Sequence, residues 1–181
     1  MPSTLANNIE KCTLKQVQLL QNIAISTYQE TFAESNSERL LQQYFEDALN
    51  LETLTAQLQQ KNSEFYFIYS SHIGTPQAEL AGFLKLNVDD AQTDILDPEA
   101  LEVEKVYIKK DFLNKGLGKE LITFAINRAK QQAKQFIWLG VWEHNFPAIK
   151  FYKKMGFERF SEHPFNMGGD IQTDLLLKKY L

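Results

Sequence analysis

Between a strand-like stretch at Leu101–Lys109 and a helix-forming one lies Asn114-Lys115-Gly116-Leu117-Gly118-Lys119. Two glycines at this spacing let backbone N–H groups approach a ligand closely, and the start of a helix adds about half a positive charge. Such a turn grips a diphosphate with main-chain amides alone, and Lys115 and Lys119 add charge. The same two glycines would equally serve a tight strand-to-helix turn without a ligand. Three better-known phosphate loops are excluded. A dinucleotide fingerprint needs a third Gly three residues on, where Leu121 stands. The Gly spacing and Lys-Ser/Thr pair of a P-loop are absent. A kinase glycine loop needs a much longer catalytic domain. Upstream, Glu102 and Glu104 flank Val103, so both carboxylates point to one strand face. A carboxylate there takes a proton through water, attracts a cationic amine, or is simply an exposed charge.

The chain that must position these residues has 181 of them, 44% hydrophobic and 23% charged, which excludes a disordered chain and suits one soluble domain. No run of about 18 apolar residues exists, so no membrane-spanning helix is expected. The opening MPSTLANNIEKC lacks the basic start and apolar stretch of a secretory signal. A lone cysteine, Cys12, cannot close an internal disulfide and reads as packing, which suits a reducing cytoplasm. That cysteine and the scattered His72, His144 and His163 give no metal cluster. Net charge is −4, unevenly spread: residues 1–100 hold 5 Lys/Arg against 14 Asp/Glu, and residues 101–181 hold 14 against 9. A basic half suits an anionic ligand and an acidic half a cationic one. A nucleic-acid module is disfavoured, because the chain is acidic overall and carries no recognition-helix or zinc motif.

Periodicity supplies the elements. Leu14, Val17, Leu20, Ile23, Ala24, Tyr28 and Phe32 predict a helix over 14–33. A second helix starts near Ser37, with Leu40, Leu41, Tyr44 and Ala48 on its apolar face, and Leu51, Leu54 and Leu58 suggest a third. Strands follow at 64–69 and 81–88, paired as a hairpin across a break at His72–Gln77. A polar loop over Asp89–Ala100 leads to a strand at Leu101–Lys109. After the glycine turn come a helix to about Ala133, an apolar strand at Phe136–Trp142, and a helix over His144–Met155 with Pro147 in its first turn. Gly156 closes that helix, and strands at 157–161 and 172–179 end the chain. A short strand near Ile9–Thr13 precedes everything. The order is that of an α/β or α+β domain with a mixed sheet.

The segment Asn145-Phe146-Pro147-Ala148-Ile149-Lys150-Phe151-Tyr152-Lys153-Lys154-Met155-Gly156-Phe157 follows the fourth strand of this series. Together with the glycine turn, in this order, it makes Val106–Phe157 resemble the GCN5-related N-acetyltransferase (GNAT) superfamily. The resemblance implies that fold: a mixed, mostly antiparallel, splayed sheet flanked by helices, here one domain over 1–181. It also implies acetyl-CoA as donor and CoA as product. Thr27–Phe32, Asn87–Gln92, Trp138–Glu143, Phe151–Phe157 and Gln172–Asp174 look like the PaiA-type spermidine/spermine N-acetyltransferases. That closer resemblance implies a cytoplasmic enzyme, monomer or homodimer, that acetylates a primary amine of a polyamine. Another small amine, a peptide N-terminus, or a CoA-binding regulator without catalysis are the alternatives.

The resemblance also implies roles. Tyr152 is the general acid beside the cofactor sulfur, and Glu102 the base. Val106, Tyr107 and Ile108 line the thioester and pantetheine arm with backbone groups. Asn114, Lys115, Gly116, Leu117, Gly118 and Lys119 hold the diphosphate. Asn145 contacts the cofactor as well as capping a helix, and Lys154, with Lys153, meets its phosphates. The acceptor draws on Tyr28, Glu30, Glu104 and Trp142, with Glu34, Asp89, Asp90 and Glu143 nearby in the pattern. The family's loop usually begins with Gln or Arg three residues before the first Gly; here Leu113 stands there, so a side-chain contribution is lost while the main-chain grip remains.

Overall fold

In the computed structural model, which describes residues 7–71, 77–167 and 169–181, the helical spacing of Leu20, Ile23, Ala24, Thr27 and Tyr28 becomes the buried face of α1 (Val17–Phe32). A 3₁₀ turn at Leu14–Gln16 precedes α1, so the first residues of the expected helix wind more tightly. Thr13 N–H donates to Gln16 Oε1 at 3.0 Å at its start. α2 (Glu38–Ala48) opens at Ser37, whose hydroxyl oxygen accepts Leu40 N–H. α3 (Leu51–Gln59) opens at Asn50, whose side chain accepts Thr53 N–H at 2.8 Å. Residues 1–6 of the opening stretch and 72–76 of the expected break lie outside the described residues.

The strands are β1 (Asn8–Lys11), β2 (Ser63–Ser70), β3 (Glu79–Val88), β4 (Ala100–Ile108), β5 (Phe136–Trp142), β6 (Glu158–Met167) and β7 (Asp170–Tyr180). α4 (Leu117–Gln131) follows β4, and α5 (Phe146–Lys154) follows β5. Among the described residues the strands form one sheet in the order β1-β2-β3-β4-β5-β7-β6. β1 with β2, β5 with β7 and β6 with β7 are antiparallel, and β4 with β5 is parallel. This is the mixed sheet that the element order implied, and the mostly antiparallel one with flanking helices that the resemblance implied.

Two compact units make up the chain. The first is Met1–Lys85 with Lys105–Leu121, and its core packs Leu20, Ile23, Leu54, Phe65, Phe67 and Phe83. The second is Leu86–Glu104 with Ile122–Leu181, and its core packs Ala100, Phe136, Trp138 and Leu176, with Ile95 and Phe160 against them.

Two features of the second unit's sheet matter for function. The β4–β5 ladder covers only Ala100↔Phe136, Leu101↔Ile137 and Glu102↔Trp138, while β5 runs on to Trp142 paired with β7. The two strands part at Glu102, which is the splay. The β6–β7 hairpin is longer than its sequence suggests. Pro164 lies inside β6 opposite Thr173. A proline has no N–H for a ladder, yet β6 is the edge of the sheet, where that loss is tolerated.

Candidate active site

In the first unit the glycine turn is built from left-handed backbone. Asn114 has φ 60° and Gly116 φ 84°. Asn tolerates this region and Gly is at home in it. Gly116 carbonyl accepts the N–H of Glu120, which starts α4. The first N–H groups of the helix therefore have no partner within it. Asn114, Lys115, Gly116 and Lys119 are exposed, Gly118 is partly so, and Leu117 is buried. A Cβ at Gly116 would meet nothing within 4 Å, so open space lies over the turn. Lys115 Nζ sits 4.9 Å above the Phe112 ring. Leu113 is half exposed.

The strand before the turn has its side chains committed elsewhere. The Tyr107 ring stacks on Phe83 at 5.7 Å and meets Tyr28 at 6.2 Å and Phe32 at 6.5 Å. Tyr28 is buried and stacked on Tyr44 at 4.3 Å. Its ring is thus part of an aromatic cluster rather than an exposed contact. Glu30, also expected to meet the acceptor, accepts the Lys110 N–H at 2.8 Å and so fixes the 3₁₀ turn at Lys110–Phe112 to α1.

In the second unit Glu102 is buried and each of its oxygens accepts hydrogen bonds. Thr93 hydroxyl donates to Oε1 at 2.5 Å, and Thr93 N–H to Oε2 at 2.8 Å. Asn87, fully buried on β3, donates to Oε2 at 3.0 Å. The same Asn87 amide donates to Glu104 Oε2 at 2.6 Å, so one amide bridges the two carboxylates. Burial pushes the Glu102 carboxyl above the ordinary range; Thr93 and Asn87 pull it down, and the Glu104 charge pushes it further up.

Opposed residues in a ladder share a face, and residues two apart return to it. Glu102 opposes Trp138, Trp142 opposes Asp174, and Asp174 opposes His163. Glu102, Glu104, Trp138, Gly140, Trp142, Asp174 and His163 therefore lie on one face of this unit's sheet. Gly140 is exposed and leaves a gap in that face. Trp142 Nε1 is buried without a hydrogen-bond partner among the described residues. Burial raises the Asp174 carboxyl and the neighbouring His163 lowers it.

The helix α5 carries the remaining residues. Asn145 Oδ1 accepts the Ala148 N–H at 3.3 Å, the cap its sequence position suggested, and Pro147 sits in the first turn. Tyr152 is buried with its ring 5.2 Å from Phe151 and 5.8 Å from Phe157. Burial pushes its phenol well above the ordinary value. Lys153 and Lys154 are exposed in the last turn.

Residues 18–157 match the model of the Acetyltransferase (GNAT) family. The chain belongs to that family. An uncharacterized N-acetyltransferase in the pepI 3' region of Lactobacillus delbrueckii subsp. lactis is 44% identical over 161 residues, 88% of this chain and 90% of the relative. A probable spermine N(1)-acetyltransferase of Bacillus subtilis subsp. natto is 32% identical over 65 residues, 35% of this chain and 43% of the relative. Among solved structures, PaiA N-acetyltransferase from Thermoplasma acidophilum in complex with coenzyme A superposes with a TM-score of 0.75 at 20% identity, covering 97% of this chain and 99% of that one. The family makes this protein an acetyl-CoA-dependent N-acetyltransferase.

The GNAT residues fit such a donor on the geometry above. A diphosphate needs N–H donors left over by the helix and room for close approach; the helix's own bonding begins at Glu120 N–H, and the space over Gly116 is open. Some residues of this site had no name in the motif. Gly82 had a signal, since an isolated Gly in a strand marks a close backbone approach: its missing Cβ would lie 2.3 Å from Tyr107 carbonyl oxygen. Asn87, a polar residue within an apolar strand, was another. Gln92 ends the Asn87–Gln92 stretch of the resemblance, which gave it no role, and Thr93 and Asp94 carried no signal, because they lie in a polar loop whose partners are far away in sequence.

Proposed function

We propose that this acetyltransferase acts in the cytoplasm as one domain and moves acetyl from acetyl-CoA to a primary amine of a polyamine. The observation that carries the reading is the sheet face that bears Glu102 and Glu104 on β4 and, opposite Trp142, Asp174 on β7. Three carboxylates suit a chain of ammonium groups, and an indole face suits a cation. The similarity to a probable spermine N(1)-acetyltransferase of Bacillus subtilis subsp. natto supports the same reading.

In this reading acetyl-CoA supplies an acetyl group activated as a thioester. Main-chain N–H groups at Gly116–Lys119 hold its diphosphate, with Lys115, Lys119 and Lys154 adding charge. Backbone groups of Val106, Tyr107 and Ile108 hold the arm and the acetyl oxygen as it gains charge. Asn145 uses its carbonyl for the helix cap and offers its NH₂ to the donor. Glu102 takes, directly or through water, the proton the ammonium must lose. The amine nitrogen then gains its acyl bond as the C–S bond breaks. Tyr152, kept as a phenol by burial, gives its proton to the departing sulfur and is restored through water by the surplus proton that the acylated nitrogen sheds. Glu104 and Trp142 orient the acceptor, and Tyr28 and Glu30 act through the elements they fasten.

A second reading follows from Trp142 Nε1, a buried donor without an acceptor among the described residues. A fully protonated polyamine offers it no acceptor, so an amine with a neighbouring hydroxyl or carbonyl oxygen would satisfy it. A thiol-release assay over spermidine, spermine, aminosugars, amino acids and peptide N-termini separates the two. Spermidine or spermine should give the highest kcat/KM; an oxygen-bearing amine outrunning both sinks the polyamine reading.

A further inference from the structure

Three consecutive loop residues each fasten to a different strand of the second unit. Gln92, buried, accepts Trp138 Nε1–H on β5 at 2.7 Å. Thr93 donates twice to Glu102 on β4. Asp94 Oδ2 lies 2.6 Å from His163 Nδ1 on β6. We infer that Asp94 and His163 are positioning residues for Glu102: their contact holds Thr93 where it can donate both its hydroxyl and its N–H to the carboxylate.

The geometry argues for this in steps. Thr93 is itself exposed and sits in a segment without regular structure, so nothing in its own conformation fixes it over Glu102. The fixing must come from its neighbours, and both are tied down, Gln92 to β5 and Asp94 to β6. The Gln92 tie is a buried hydrogen bond. The Asp94 tie is a contact between a carboxylate and an imidazole, both partly exposed. Further back, Lys134 Nζ holds Asp89 at 2.9 Å and Pro98 carbonyl at 2.7 Å.

The charged groups around the pair are few. His163 faces Asp94 from the loop and Asp174 from β7, whose oxygen is 3.9 Å from Nε2. On its own strand Glu162 is paired with Arg159. Glu102 faces Glu104 on β4 and the neutral Asn87 and Thr93. Removing the Asp94–His163 tie loosens Thr93, while Gln92 keeps the loop against β5 and Glu102 remains dry. A buried carboxylate with fewer donors binds its proton more tightly.

The inference rests on Glu102 being the base only for its kinetic consequence, so the test reads Glu102 by itself first. In the full chain, carboxyl carbon NMR follows Glu102 against pH, its signal identified by loss in Glu102→Gln. Thr93→Val should raise the midpoint by about one pH unit, and Thr93→Ser should restore it. Asp94→Asn and His163→Gln should each raise it by a smaller amount. The acid limb of kcat/KM should move with the midpoint. A midpoint that stays or falls in both Asp94→Asn and His163→Gln, while Thr93→Val raises it, overturns the positioning role. A midpoint that rises in both while the kinetic limb stays put upholds the role and removes Glu102 as the base.

Discussion

Gly82 on β3 faces the Tyr107 carbonyl on β4 so closely that a Cβ there would lie 2.3 Å from the oxygen and 2.7 Å from Ile108 Cδ1. Beside it, Lys109 N–H donates to Ala81 carbonyl at 2.8 Å. The two backbones can run this near only without a side chain between them. Tyr107 and Ile108 belong to the stretch proposed to hold the acyl arm, so the glycine sets where that stretch lies.

Gly82→Ala must therefore push the Tyr107–Ile108 backbone aside. The expected cost is roughly 1–3 kcal/mol of stability, read by urea unfolding. Acetyl-CoA affinity, read by calorimetry, should fall with it. A variant of unchanged affinity would show that the strand's position does not matter to the donor.

Gly116→Ala tests a different physical effect. Space around that Cα is open, so no clash follows, but its φ of 84° is unfavourable for Ala. About 1–2 kcal/mol of stability should be lost. If the turn grips a diphosphate, the added methyl also stands in the approach. Coenzyme A should then bind about tenfold more weakly, a loss of about 1.4 kcal/mol. Lost stability with unchanged coenzyme A binding would assign the glycine to the turn alone.

Tyr152→Phe should lower kcat about 100-fold or more, the usual span for a general acid. Ring packing against Phe151 and Phe157 survives the change, so stability should move by less than about 1 kcal/mol. Burial keeps the phenol protonated beyond its ordinary range, so Tyr152 should impose no basic limb on kcat below about pH 10. Unchanged turnover with chemistry rate-limiting would remove the acid from this residue.

Stability should also depend on pH through Glu102 and Asp174. Both are held above the ordinary carboxylate range by burial, and in the unfolded chain both return to it. The folded state then binds their protons more tightly than the unfolded one. The stability they contribute is complete below about pH 4 and is lost as pH climbs through their raised folded values. Urea unfolding across that window should show the decline, and Glu102→Gln should flatten it. An identical slope in the variant would mean that Glu102 does not titrate differently on folding.

Much of this was legible in the sequence, because the signals were local. Periodicity placed α1 and the central strands, and Ser37 and Asn145 stood at helix starts where their side chains cap backbone N–H groups. The glycine turn and the Asn145–Phe157 segment, in order, pointed to the acetyltransferase family, which residues 18–157 then matched. Alternation alone put Glu102 and Glu104 on one face, and a single Asn87 amide reaches both.

Other features depend on residues that meet only after folding. The expected strand at 157–161 stops short of β6, which runs on to Met167 through Pro164, a residue the edge position of β6 tolerates. Tyr28 and Glu30 looked like acceptor contacts; packing turned one into a stacked core ring and the other into a backbone anchor. The loop at Gln92–Asp94 showed no pattern, since its partners Glu102, Trp138 and His163 lie between nine and 69 residues away. Sequence determines which backbone conformations and faces each segment favours, through sterics and short-range hydrogen bonds. Which buried carboxylate is desolvated, and which donors then stabilise its charge, is decided when distant segments exclude water together.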